Sequence, residues 1–246
     1  MTMPAPEGRS TFPLTVVIPV FNEGANFPQL WHAMSSLIHS PFLALVVYDF
    51  DQDDTVLVVQ RIIDTGEPRL RLVKNKLAGG VVGAIRSGFQ LVERGPVLLL
   101  MADLSDDLRD VDRMLALYRD GYDVVAGSRY MCGGQVLGGP WLKKSLSRLA
   151  GVSLHYLRGV PTHDATNAFK LYDATMLRSI NIESRAGFEL NLELTVKAFL
   201  QRRAIAEIPS VWIDRTAGTS RFRLWRWLPS YLHWYCHAFR PKSRRP

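Results

Sequence analysis

Negative charge is missing from the end of this chain. From Arg221 to Pro246 there are six Arg and one Lys but no Asp or Glu. Formal net charge is +7, and the remaining 23 basic residues match the 23 acidic ones, so this segment carries the whole excess. Such a segment seeks an anionic surface, either lipid headgroups or nucleic acid. Cysteine is scarce as well. Cys132 and Cys236 lie far apart without metal-ligand spacing and read as incidental thiols in a reducing cytoplasm. No apolar run approaches the roughly 20 residues that span a bilayer. The opening "MTMPAPEGRSTFP" has neither an apolar core nor a cationic start, so no signal peptide is expected. With 47% hydrophobic and 22% charged residues the composition is globular, and 246 residues suffice for one substantial core.

What is present alternates. "LTVVIPV" (14–20), "LALVVYDF" (43–50), "RLRLV" (69–73), "PVLLLM" (96–101) and "YDVVAGS" (122–128) read as strands. Between them lie helical stretches, such as the one where Leu30, Met34 and Leu37 recur at helical spacing. Continuous apolar strands alternating with helices predict an α/β fold, a doubly wound and mostly parallel sheet covered on both faces. Ligands bind such sheets beyond the carboxyl ends of the strands. Four polar clusters fall at those ends: Asn22 with Glu23, Asp49 with Asp51, Asp103 with Ser105, and Ser128 with Arg129. There is no internal repeat or linker, so one domain is expected over 1–222, followed by a basic, aromatic segment over 223–246.

At these residues the chain resembles the family 2, GT-A-fold glycosyltransferases, most of all the dolichyl- and polyprenyl-phosphate mannosyltransferase group. "VVIPVFNEG" is similar to that family's opening strand and Asn-Glu turn. "VVYDFDQDDT" stands where it has Asp-Asp-Gly-Ser and then Thr. "GGVVGAIRSGF", "DVVAGSRYMCGG", "HDATNAFKLYDATML", "GFELNLELTVKA" and "IPSVWIDRTAGTSRF" resemble five further segments, in the family's order. The resemblance implies that Pro19, Phe21 and Glu23 face a nucleoside, while Val47 and Asp49 hold its base and ribose. It implies that Ala102 and Asp103 meet the diphosphate and a metal, and that Arg129, Arg215 and Arg221 surround the donor phosphates and the sugar. It further implies that Asp164 lies near the reacting sugar and the acceptor.

Met101 stands where the family has the first carboxylate of Asp-Ala-Asp. Mg²⁺ is often held by one or two protein carboxylates plus substrate phosphates. Asp103, with Ser105, is therefore expected to hold Mg²⁺ or Mn²⁺ once donor is bound. Asp106 and Asp107 precede "LRDVDRMLALY" and read as helix caps. Asp164 follows Pro161, Thr162 and His163, where a structural Asx-turn is the other reading. An alcohol acceptor would need Asp164 or Glu193 as general base, whereas a phosphate monoester is already largely dianionic at neutral pH. Glu193, spaced helically from Glu189 and Lys197, also fits a solvated helix face. Lys76 and Arg86 flank the glycine-rich turn and are left outside the candidate set. The six histidines form no metal-binding pattern.

In the final segment Pro229 suits the first turn of a helix running to about Phe239. Tyr231, Leu232, Tyr235, Ala238 and Phe239 would then share one face. An interfacial helix on anionic lipid is the first reading; packing on its own domain is the second, and an RNA-binding arm the third. The expected protein is an inverting hexosyltransferase that uses a nucleotide-diphosphate donor, GDP-mannose by analogy. Its acceptor is a polyprenyl or dolichyl phosphate at the cytoplasmic face of a membrane, with no nucleic-acid partner. The alternatives are transfer to a soluble hydroxyl and non-catalytic binding of a nucleotide sugar.

Overall fold

The computed structural model describes residues 9–214 and 224–242. The strands are β1 (Leu14–Pro19), β2 (Phe42–Tyr48), β3 (Leu70–Lys74), β4 (Pro96–Leu99), β5 (Val124–Ser128), β6 (Gln135–Leu137), β7 (Lys170–Asp173), β8 (Ile205–Pro209) and β9 (Val211–Ile213). The helices are α1 (Phe27–Leu37), α2 (Asp54–Asp64), α3 (Val81–Gln90), α4 (Val111–Arg119), α5 (Trp141–Arg158), α6 (Ala174–Ser179), α7 (Glu189–Leu200) and α8 (Leu224–His237).

Seven strands form one sheet in the order β3-β2-β1-β4-β7-β5-β8. All neighbours run parallel except β7, which is antiparallel to both β4 and β5. β6 and β9 pair separately. The five strands expected from the sequence are present, each within a few residues of its expected ends. The two apolar strand faces have different covers, which is why the strands read as unbroken hydrophobic runs. Val16, Ile18, Ala44, Val46, Leu98 and Val125 pack with α1, α2 and α4. Their alternates Val17, Leu45, Val47, Leu99 and Val124 pack with α3, α5, α6, α7 and α8. At Gly88 helix α3 comes so close to the sheet that a Cβ would lie 2.4 Å from a methyl of Val17.

Helix α7 is buried on all sides, because α8 covers its outer face. The solvated helix face expected at Glu193 is therefore corrected. Glu193 is enclosed, its Oε1 accepts from Glu183 N at 2.7 Å and its Oε2 from Ser184 N at 2.8 Å. Lys197, one turn on, is its ion-pair partner at 2.7 Å. Helix α8 starts at Leu224, so Pro229 lies inside it rather than in its first turn. Among its described side chains Trp227 and Trp234 are buried, as is Ala238 just beyond its end, while Leu232 and, after the helix, Phe239 are exposed. Trp234 lies over the Lys197 ammonium, 4.7 Å from Nζ to the ring centre, and Trp227 meets Phe188 edge to face. No helix among the described residues is long and apolar enough to cross a membrane.

Candidate functional site

Because β1, β2, β4 and β5 run the same way, their carboxyl ends deliver residues to one rim. The turn after β1 is held by the start of α2. Asn22 N donates to Asp53 Oδ2 at 3.0 Å, Glu23 N to Thr55 Oγ1 at 2.9 Å, and Gly24 N to Asp54 Oδ1 at 2.9 Å. Asn22 takes a φ of 52°, in the left-handed region. These bonds fix that strained turn and leave Phe21 projecting at the rim. Phe50, from the loop after β2, packs edge to face on Phe21 with centroids 5.3 Å apart. Glu23 Oε2 accepts from Asn26 Nδ2 at 2.7 Å.

Asp49 ties the glycine-rich loop to the same rim. Its Oδ1 accepts from Asn75 Nδ2 and its Oδ2 from Gly80 N, both at 2.7 Å. Gly80 sits at φ 101°, which only glycine adopts freely, and opens α3. Of the expected nucleoside set, then, Phe21, Glu23 and Asp49 reach the rim. Pro19, Val47 and Ala102 do not present side chains there, because all three are buried. Val47 packs toward α3, and its carbonyl accepts from Val20 N at 2.9 Å. The sequence reading missed Phe50 and Asn75.

The loop after β4 turns sharply at Leu104, which has φ 59°. Asp103 Oδ1 accepts from Ser105 N at 3.2 Å, and Ser105 O accepts from Ile213 N of β9 at 2.9 Å. Asp106 bridges Trp212 of the same strand. The capping expectation holds for Asp107, which accepts from Arg109 N at 3.0 Å at the start of the 3-10 turn Leu108–Asp110. It fails for Asp106. The Asp106 Oδ1 is enclosed and has no hydrogen-bond partner, and the same is true of Ser105 Oγ. Burial first, and the Asp103 charge second, push the Asp106 carboxyl up to about 7. Among the described residues no three His, Cys, Asp or Glu side chains cluster as a metal site. The loop offers two carboxylates and a hydroxyl, with two enclosed oxygens lacking a donor. A hard cation that completes its shell with phosphate oxygens fits such a set.

Across the rim Arg129 meets Asp164. Nε and Nη2 donate to the two carboxylate oxygens at 2.6 and 3.0 Å. Ser147 of α5 takes another Nη2 contact at 3.1 Å and is bonded to Thr166 at 2.6 Å. Asp164 also accepts from Thr166 Oγ1 and from Asn167 N, three residues on, so it braces its own turn, through these groups and not through the amide two residues on that an Asx-turn uses. Burial alone would raise its pKa, yet Arg129 holds the carboxyl below the usual range. The anionic partner of Arg129 in this structure is Asp164, a side chain of this protein, and Asp164 is fully enclosed in that contact. Lys170, on the antiparallel strand β7, is buried beside this pair and donates to the Ala165 and Asn167 carbonyls. Burial lowers its pKa to about 7. Ser147, Thr166 and Lys170 were missed; Thr166 and Lys170 belong to the quoted "HDATNAFKLYD" segment, but nothing local marks Ser147. Arg215 and Arg221 lie outside the described residues.

The family model described as "Glycosyl transferase family 2" matches residues 15–180. The polyprenol monophosphomannose synthase of Mycolicibacterium smegmatis is 29% identical over 221 residues, covering 87% of this chain and 82% of that protein. The dolichol-phosphate mannosyltransferase of Pyrococcus furiosus is 21% identical, covering 85% of this chain; the chain spans 59% of that longer protein. Among solved structures, a glucosyl-3-phosphoglycerate synthase from Mycobacterium tuberculosis in complex with Mn²⁺ and UDP-glucose superposes with a TM-score of 0.69 at 17% identity. That match covers 93% of this chain and 80% of the other. A second structure of that enzyme, with UDP, gives 0.68, at 17% identity over 96% and 83%. These likenesses show the fold.

Proposed function

Because the chain belongs to glycosyl transferase family 2, we propose that this glycosyltransferase moves a hexose, mannose, from a nucleotide-diphosphate donor such as GDP-mannose to a polyprenyl or dolichyl phosphate. The names of the two relatives support this acceptor class. The observation that carries it is the state of the two carboxylates put forward as a general base. Asp164 and Glu193 are both enclosed and fully engaged, by Arg129 and by Lys197 with two backbone amides. An acceptor that needs no deprotonation suits such a site. A phosphate monoester oxygen attacks the anomeric carbon as the bond to the donor diphosphate breaks, giving inversion without proton transfer.

The residues divide the task. Phe21 and Phe50 offer an aromatic platform to the base, and Asp49 lies where the ribose would sit. Asp103, Ser105 and Asp106 would hold Mg²⁺ or Mn²⁺, which would neutralise charge on the leaving diphosphate. Arg129, locked by Asp164 and Ser147, presents a fixed cation beside the transferred group, and Arg215 and Arg221 would add to it. An acceptor of this kind places the protein on the cytoplasmic face of a membrane as a peripheral protein.

Incubation with radiolabelled nucleotide sugars and undecaprenyl or dolichyl phosphate should carry label into the organic phase. Label moving instead into a soluble glycan or glycerol-type acceptor would replace the lipid reading. Donor binding with neither transfer nor hydrolysis would make the protein a nucleotide-sugar binder.

A further inference from the structure

We propose that the outward face of α5 is the surface by which this protein lies on an anionic lipid bilayer. Between Asp123 and Asp164 the chain has no acidic residue but five cations, four of them (Lys143, Lys144, Arg148 and Arg158) within α5. The helix nonetheless exposes large apolar side chains: Trp141 is 74% exposed, Leu149 66%, Tyr156 73% and Leu157 69%. Trp141, Leu149, Val152 and Tyr156 recur at spacings that put them on one stripe of the helix. The opposite stripe is committed to the protein. Leu154 is fully buried, a Cβ on Gly151 would lie 2.2 Å from His163 O, and Ser147 reaches Arg129.

Helix α8 extends this surface. Ser153 and the Tyr235 hydroxyl are bonded at 2.9 Å, and Arg158 donates to the Ala238 and Arg240 carbonyls, both at 2.8 Å. Leu232 on α8 and Phe239 just after it are exposed, and α8 also lacks any acidic residue. The basic, aromatic segment spends Trp227 and Trp234 on packing, so among the described residues of the two helices the exposed apolar side chains lie mainly on α5.

An exposed apolar patch with cations and no carboxylates is complementary to anionic headgroups over an acyl layer. A second copy of this chain fits poorly, since a two-fold contact would set the same cations against each other. The inference deepens the lipid-phosphate reading without depending on it. It sets the buried side of α5, with Ser147 at the candidate site, one helix diameter from the bilayer.

The test is co-sedimentation of the full chain with vesicles of phosphatidylcholine containing about 30% phosphatidylglycerol, with pure phosphatidylcholine as control. The wild type should partition about tenfold more strongly to the anionic vesicles. Leu149→Ala with Tyr156→Ala, which leaves charge unchanged, should lower partitioning about tenfold, while Leu57→Ala on α2 should not. Nucleotide-diphosphate binding of the double variant, measured by calorimetry, should equal wild type and so reports an intact fold. Equal partitioning of wild type and double variant, or equal partitioning to both vesicle types, overturns the proposal. So does a lipid-free dimer in sedimentation velocity that the double variant abolishes. Transfer to a short, water-soluble acceptor phosphate is read in parallel. Its loss in the wild type would count against the transferase reading and not against the docking face.

Discussion

Asp164→Asn separates a positioning carboxylate from a catalytic base. The substitution keeps the shape of the side chain but leaves the Arg129 guanidinium, almost enclosed, without its counter-charge. Whichever way the amide turns, its nitrogen would also face donors now held by a carboxylate oxygen: Arg129 N and Nε on one side, or Arg129 Nη2, Thr166 Oγ1 and Asn167 N on the other. Removing one partner of a buried ion pair costs about 3–5 kcal/mol. Taking the lower end, because Ser147 and Thr166 still contact Arg129, the melting temperature should fall by about 6–12 °C. The urea midpoint should fall by about 1 M if m is about 3 kcal/mol per M. The sign of the pH dependence follows from the depressed carboxyl of Asp164. A carboxyl lowered in the fold contributes stability that is fully present above its unfolded value, near about 3.9. It is lost as pH falls through the lower folded value. The part of the stability gap that Asp164 itself contributes should therefore close below about pH 4, while Lys170 and Asp106, which titrate at about 7 beside it, make the gap vary around neutrality as well. Arg129→Met added to Asp164→Asn removes the orphaned charge and should recover part of the loss. Denaturation across pH with circular dichroism measures all of this. Wild-type stability combined with an abolished kcat would refute the reasoning and restore Asp164 as a group that touches substrate.

Other outcomes follow from the same geometry. Asp103→Ala and Asp106→Ala should each weaken Mn²⁺-dependent nucleotide-diphosphate binding, whereas Met101→Asp should tighten metal binding without nucleotide; calorimetry in both orders checks the reciprocity that linkage requires. Phe21→Ala should lower nucleotide affinity about tenfold by removing an aromatic face, with the fold unchanged, and equal affinity would move the base elsewhere. Glu193→Gln should destabilise by about 2–3 kcal/mol in urea while leaving donor affinity intact, since its oxygens serve Glu183 N, Ser184 N and Lys197; a catalytic loss at full stability would point to a base after all. Truncation after Phe222 should strip the cover from α7 and cause unfolding or aggregation, and Trp234→Ala alone should cost about 3–5 kcal/mol. A truncated protein that melts like the full chain would show α8 to be an appendage.

Local pattern determined most of the parallel core. Short β-branched runs ending in polar residues mark β1, β2, β4 and β5, and their direction alone places Asn22, Asp49, Asp103 and Arg129 on one rim. The ordered motifs carried the family, and the departure at Met101 was visible as a missing carboxylate. What tertiary structure decided is who faces whom. β7 enters between β4 and β5 through pairing across more than forty residues, and no local signal marks a strand inserted in reverse. Its Lys170 and the adjoining Asp164 become buried partners only through that insertion. Asp106 and Asp107 are neighbours of the same type. One caps a turn and the other is enclosed beside Asp103, because β9 bridges the backbone at Asp106. Glu193 has the spacing of a surface residue, and α8, some thirty residues further on, takes it out of water. Sequence fixes a residue's chemistry and its period; burial and counter-charge depend on segments distant in the chain, and they decide whether a carboxylate binds a ligand, holds an arginine or closes a loop.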